Sequence, residues 1–431
     1  MAKFIKLFSF LVFVCLMFIL NSCTTTSKGG EPSADGEFGE LLEPGYYKDG
    51  DIMDGGLSGL PGHSSRPGGE GNGNLPRSGQ LTACALFDKN EFGYWHNLQL
   101  STDNGDGVFY QYANKYTFNT SHMIKVSSNF GVDAEVVGLH DDEIVYSART
   151  LKDGTAILFD GNEAINKIRF TYVDNSTNEQ VVLEKEYNPE SEEVVSFDVH
   201  NETNNNLIEI MFVVDTTGSM MDEIAYLQSE IDNVVSELKA NNEEVNISIA
   251  LMFYRDKYDE YLTRYFDFSQ DIDEIKKNLL NQKADGGGDF EEAVDVAMDE
   301  AVNKQWSVNS TKILIHVADA PSHNSDVVSW YASALLAAKK GIRIITVASS
   351  GIDKRTEYLF RSQSLLTDGC YVYLTDDSGI SVGGHVEATV KERPVVEYLN
   401  ACLIRLINGY FNGVFDEPAY YGANNPENNP E

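Results

Sequence analysis

Residues 208–224 read IEIMFVVDTTGSMMDEI. An apolar run stops at one aspartate, Asp215. Thr216, Thr217, Gly218 and Ser219 follow, and a helical pattern then begins. Continuous apolar runs of this length suit a strand covered on both faces, so Asp215 falls where a buried strand gives way to a loop.

The same rhythm continues outward. LIEIMFVV, VNISIALMFY, LTRYFDF, TKILIHVAD, IRIITVAS and CYVYL read as strands. SMMDEIAYLQSEIDNVVSELKA, DIDEIKKNLLNQKA, DFEEAVDVAMDEAVNKQ, SDVVSWYASALLAAKKG, DKRTEYLFRSQSLLTDG and PVVEYLNACLIRLINGYFNG read as helices. Alternating strands and helices imply an α/β, doubly wound domain with a mostly parallel six-stranded sheet over 201–415. Only RDKYDEY separates two of the strands. A parallel crossover needs about a dozen residues or more. Those two strands must pair as a hairpin, the second at an antiparallel edge. Ligands of such folds sit beyond the carboxyl ends of the strands, where strand order reverses.

Two strands end in aspartate at that level, FVVD at Asp215 and HVAD at Asp319. A third acidic loop, ADGGGDFEE, is expected to open a helix there, with Asp289-Phe-Glu-Glu292 as a capping box. Three acidic loops without Lys or Arg make a poor anion site. They suit a hard cation with oxygen ligands, Mg²⁺ first, then Mn²⁺ or Ca²⁺.

DTTGS matches the D-x-[ST]-x-S signature of von Willebrand factor A domains, and the stretch 206–375 resembles that family in strand and helix order. The resemblance implies a metal ion-dependent adhesion site. Its first motif falls on Asp215, Thr217 and Ser219, with the two hydroxyls on the metal and the aspartate acting through water or hydrogen bonds. Its third motif falls on Asp319. Where the family offers a threonine, this chain offers GGGDFEEAV, so Asp289 is inferred to take that place. The resemblance also implies a protein partner whose acidic side chain completes the coordination, a role that an extra carboxylate weakens. Asp256 and Asp259 read as solvated turn charges, His316 as a core histidine, and His323 as a neighbour of the crevice.

The 431 residues carry a formal net charge of −35, which excludes nucleic acid as a natural partner. The first segment, MAKFIKLFSFLVFVCLMFILNSC, has Lys3 and Lys6 and then an apolar run from Leu7 to Leu20. That is short for a membrane span and suits a signal peptide. Leu20-Asn21-Ser22-Cys23 resembles a bacterial lipobox, which implies a lipid on Cys23 and anchorage in the cell envelope. Thr24 in place of an aspartate favours the outer membrane or cell surface. Residues 24–79 are rich in Gly, Pro and Ser and read as a disordered tether. Residues 80–200 read as an all-β sandwich, from short runs such as MIKVSS, TAILF and KIRFTYV between turn signals. Within it, 124–159 resembles carboxypeptidase-regulatory or transthyretin-like modules through TLKDGTAILF. Residues 416–431 read as a disordered tail. Cys84, Cys370 and Cys402 form no framework and read as buried thiols.

The function expected is a lipid-anchored binding module, not an enzyme. One alternative is a structural envelope protein with a fold-stabilising metal. Another is a haloacid-dehalogenase-like phosphotransferase with Asp215 as nucleophile, but Thr217 stands where that chemistry wants a second acid. DTTGS has one residue too many for the aspartic-protease DTGS.

Overall fold

The computed structural model describes residues 76–102, 105–189, 194–199, 206–241, 244–379 and 384–422. The signal segment, Cys23, most of the tether and residues 423–431 lie outside them. The first strands in chain order are β1 (Thr82–Leu86), β2 (Ser101–Thr102), β3 (Gly105–Asp106), β4 (Met123–Ser128), β5 (Glu135–His140) and β6 (Glu143–Arg149). Then come β7 (Thr155–Phe159), β8 (Lys167–Asp174), β9 (Glu179–Glu186), β10 (Val194–Phe197), β11 (Leu207–Asp215) and β12 (Asn246–Tyr254). The last are β13 (Thr263–Ser269), β14 (Thr311–Ala318), β15 (Ile342–Ala348), β16 (Cys370–Thr375) and β17 (Val396–Tyr398). The helices are α1 (Phe92–Asn97), α2 (Tyr110–Tyr116), α3 (Ile224–Asn241) and α4 (Ile272–Leu280). They continue with α5 (Val294–Asn303), α6 (Val327–Lys340), α7 (Lys354–Leu366) and α8 (Leu399–Asn412).

The α/β sheet runs β13-β12-β11-β14-β15-β16-β1-β17. Its first six strands are those expected, with β12 and β13 antiparallel and β11 parallel to both β12 and β14. Strand order reverses between β11 and β14, so Asp215 and Asp319 flank the switch point. Residues of β11 alternate between two cores. Ile208, Ile210, Phe212 and Val214 share one with α3, α4 and α8. Met211 and Val213 share the other with α5, α6 and α7. Both faces are thus covered, which is why the strands read as unbroken apolar runs.

The sheet has eight strands rather than six. β1 lies antiparallel between β16 and β17, so the segment 82–86 belongs to the α/β sheet and not to the β-rich region that follows it in sequence. That region is also not all-β, because α1 and α2 interrupt it. Their aromatic residues pack on α7: Trp95 stacks on Tyr358 at 5.8 Å, and Tyr116 at 6.5 Å. Between 123 and 199 the chain forms β4 to β10, with MIKVSS, TAILF and KIRFTYV as strands as expected, in sheets ordered β10-β4-β7 and β6-β5-β8-β9. These meet through contacts such as Phe170 on Phe197 at 5.0 Å.

Both ends of the described chain are tied down where a tether and a tail were expected. Gly79 and Gln80 donate backbone N–H groups to the Glu230 carboxylate of α3, at 2.8 and 2.9 Å. Ala419 donates its N–H to Glu397 Oε1 at 3.1 Å, and Tyr421 its N–H to the Val396 carbonyl at 2.9 Å. Cys84, Cys370 and Cys402 are buried free thiols. Among the described residues, no helix is long and apolar enough to cross a membrane.

Candidate metal centre

The loop after β11 is held by its own backbone and by the hairpin. Thr216 donates its N–H to the Tyr254 carbonyl at 2.9 Å. Asp285 N–H reaches the Thr216 carbonyl at 3.0 Å, and Gly218 N–H the Gly286 carbonyl at 3.1 Å. Arg255, 5% exposed, donates Nε to the Thr216 carbonyl and a terminal nitrogen to the Lys283 carbonyl. Asp259 Oδ2 accepts from Gly287 N–H at 2.9 Å and from Asp256 N–H at 3.0 Å. The charges of 254–259 thus latch the glycine loop onto the loop after β11.

Glycine is needed in that loop for a stated reason. Gly286 and Gly287 have φ of +80° and +75°, where a Cβ is strained. A Cβ on Gly287 would also stand 3.0 Å from Glu292 Oε1 and 3.3 Å from Thr217 Cβ. The backbone there approaches both side chains closely.

Asp215 is fully buried. Its Oδ1 accepts from Thr217 N–H at 2.8 Å and from the Thr217 hydroxyl at 2.7 Å. Thr217 and Ser219 hydroxyls lie 3.2 Å apart. Asp215 Oδ2 is buried and has no hydrogen-bond partner. The Tyr254 hydroxyl beside it is engaged with His316 Nε2 at 3.1 Å, and His316 lies in the core as expected. Burial, and then the Asp319 carboxylate, raise the pKa of Asp215. Burial also raises that of Asp319, against the relief given by the Ser219 hydroxyl.

The helix expected to begin at Asp289 begins instead at Val294, with Ala293 in the N-cap position and no side-chain cap. The helix starts beyond both acids, so Asp289 and Glu292 form no capping box. Glu292 N–H donates to the Pro321 carbonyl at 3.0 Å, and Glu292 bridges to Ser322 in a strand-like contact. This draws the Glu292 side chain beside Asp215 and Asp319. It is 3% exposed, and Oε2 is buried without a partner. Burial, followed by Asp215, Asp256 and Asp319, pushes its pKa up from an ordinary 4.5 to about 9.

Asp289 is exposed. It lines the same cleft of about 450 Å³ as Ser219, Glu292 and Asp319. Its carboxylate also groups with Asp256 and His323, whose ligand atoms all lie within 4.8 Å of one another. His323 Nε2 is 2.8 Å from Asp256 Oδ1. One further carboxylate, Glu223, acts on Asp319, and its Oε2 is also buried without a partner. Its Oε1 accepts from Ser350 N–H at 2.9 Å and lies 3.4 Å from His385 Nε2.

Buried carboxylates are costly unless something neutralises them. Here Asp215 Oδ2, Asp319 Oδ1 and Glu292 Oε2 lack partners, and their strongest neighbours are other carboxylates. The donor set of carboxylates and two hydroxyls suits a hard divalent cation, so the residues fit the expected metal. Asp215, Thr217, Ser219, Asp319 and Glu292 would hold it. Its charge would let the buried acids ionise together. Glu292 was the residue that the sequence hid, because its spacing from Asp289 mimics a helix cap.

Residues 209–384 match the model of the von Willebrand factor A domain. The alpha-protein kinase vwkA of Dictyostelium discoideum is 30% identical over 164 residues, 38% of this chain and 26% of that protein. The chain therefore spans about a quarter of that relative's length. Two solved structures are similar at low scores. An aerotolerance-related membrane protein from Bacteroides fragilis has 14% identity over 40% of this chain and 94% of its own, with a TM-score of 0.30. The pilus adhesin SpaC from Lactobacillus rhamnosus GG has 11% identity over 48% of this chain and 31% of its own, with a TM-score of 0.31. With the strand order, the switch point and the family match in agreement, residues 209–384 are a von Willebrand factor A domain.

Proposed function

We propose that this chain is a lipid-anchored protein of the bacterial cell envelope whose von Willebrand factor A domain holds a divalent cation and recognises a partner protein at that cleft. The observation that carries the proposal is that Asp215, Asp319 and Glu292, around the loop that carries the Thr217 and Ser219 hydroxyls, each keep a buried carboxyl oxygen without a partner. Mg²⁺ is the preferred ion, since all the donors are oxygens. The role is binding and not catalysis: the cleft offers ligands for an ion, and Thr217 occupies the position at which a dehalogenase-like phosphotransferase needs an acid. A second reading, a metal that only stabilises the fold, is favoured by Glu292, whose extra charge satisfies more of the ion from within.

The test uses the mature chain stripped with chelator. Mg²⁺ or Mn²⁺ should raise its melting temperature, and Asp215→Asn should remove the rise. Cross-linking on intact cells should capture a partner in Mg²⁺ that is lost with chelator and with Asp215→Asn. Retention under all three conditions would leave the stabilising metal as the better reading. For the anchor, Cys23→Ala should move the protein from the membrane to the soluble fraction. If the variant stays with the membrane, the anchor lies elsewhere.

A further inference from the structure

Arg355 lies in the first turn of α7 and is 7% exposed. All three of its guanidinium nitrogens donate, each to a different part of the chain. Nη1 reaches Glu291 Oε1 at 2.7 Å, Nη2 the Ser322 carbonyl at 2.6 Å and Nε the Tyr116 hydroxyl oxygen at 2.8 Å. We propose that Arg355 is a positioning residue for the cation cleft. It clamps the two loops that flank the cleft to each other and to α2, so that docking of α2 and binding of the cation favour one another. This rests on the cation reading above.

Glu291 and Ser322 belong to the two flanks. Glu291 sits in the loop before α5, between Phe290 and Glu292, both of which line the cleft. Ser322 stands three residues after Asp319 and pairs with Glu292 in a strand-like bridge. Tyr116 comes from the β-rich region, at the end of α2. Its hydroxyl donates to Asn324 Oδ1 at 2.7 Å, and Lys115 Nζ reaches the same oxygen at 2.6 Å. The Asn324 amide turns back to Glu291 Oε1 at 3.4 Å. The network thus closes on itself. α2 holds Asn324, Asn324 and Arg355 hold Glu291, and Arg355 holds Ser322 and Tyr116.

An arginine that only neutralises a buried acid needs one carboxylate, as Arg405 has in Glu397. Arg355 gives one of its three bonds to an acid and the others to a carbonyl and a hydroxyl far away in sequence. The planar guanidinium fixes the directions of all three. Groups that hold the ligands of an ion set its affinity almost as strongly as the ligands do. Coupling of this kind is reciprocal: what the cation gains from the clamped loops, α2 gains from the cation. The charge of Arg355 makes the two possible roles opposite in sign. As a bare positive charge beside the cleft it would repel the cation, and its loss would tighten binding. As a clamp, its loss must weaken binding.

Calorimetric titration of the chelator-stripped mature chain with Mg²⁺ tests the clamp. Arg355→Met should weaken binding about tenfold. Tyr116→Phe changes no charge and keeps the ring that stacks on Tyr358, so it spares the fold if Arg355→Met does not. It should weaken binding about threefold. Hydrogen exchange reads the coupling from the other end. Saturating Mg²⁺ should slow exchange of the α2 amides more than that of β9, which takes no part in the network, and Tyr116→Phe should remove the difference. Tighter binding by Arg355→Met would make it a bare repelling charge and overturn the proposal. Unchanged binding by Tyr116→Phe, or α2 exchange no more sensitive to Mg²⁺ than that of β9, would overturn it too. The cation reading survives either result if Asp215→Asn does not bind. Equal binding by wild type and Asp215→Asn, or none by wild type, would overturn the cation reading and the clamp with it.

Discussion

Two clusters of buried carboxylates in this molecule are treated differently. Around α7, Asp88 and Glu357 flank Arg361, whose Nε reaches Asp88 Oδ2 at 3.0 Å and whose Nη1 reaches Glu357 Oε1 at 3.1 Å. Thr389 and Lys354 bind the rest of Glu357, and the guanidinium lies 5.0 Å from the Trp95 ring centre. Every charge there has a partner from the chain. In the cleft beyond β11 and β14, Asp215, Asp319 and Glu292 each keep an oxygen without one. The fold shows that it can neutralise a buried acid with arginine. Where it supplies none, the acids either hold their protons or take their counter-charge from outside, as a cation would provide.

The largest effect that would sharpen this contrast is at the self-contained cluster. Arg361→Met should destabilise the chain by about 3–5 kcal/mol in urea unfolding, because it leaves Asp88 and Glu357 buried and uncompensated. Chelator and Mg²⁺ should make no difference to that loss. In the cleft the dependence is reversed. Mg²⁺ at a hundredfold excess over its dissociation constant should stabilise the wild type by about 2.7 kcal/mol, and Asp215→Asn by almost nothing. A comparable Mg²⁺ effect in both proteins would erase the distinction between the clusters.

The pH profile is the next test. A carboxyl whose pKa rises from 4.5 unfolded to about 9 folded, as at Glu292, leaves the native state holding the extra proton between those values. Stability of the metal-free chain should therefore fall as pH rises through that window. Saturating Mg²⁺ should flatten the fall, and Glu292→Gln should flatten it without metal. The smallest effect expected is at the glycine loop. Gly287→Ala places a Cβ at φ +75° and 3.0 Å from Glu292 Oε1. It should cost about 1–2 kcal/mol and weaken Mg²⁺ binding, both readable from one thermal titration.

Much of the α/β core was legible in the sequence because its strands are covered on both faces and its connections are short. β11, β14 and β15 announce themselves as unbroken apolar runs, and RDKYDEY is too short for anything but a hairpin. The pairing of Asp215 with Asp319 followed from those two facts alone. β1 was not legible as part of this sheet. Its partners β16 and β17 lie about three hundred residues away, with Thr82 opposite Thr375 and Tyr398. No local pattern encodes such a pairing. Glu292 was hidden by an ambiguity of spacing: an acid three residues before a glutamate reads as a helix cap, whereas the helix here begins only at Val294.

The most direct test of the account is a single calorimetric titration of Mg²⁺ into the chelator-stripped mature chain and into Asp215→Asn. The account predicts one saturable site in the wild type and none in the variant. Equal binding in both, or no binding in the wild type, would contradict it.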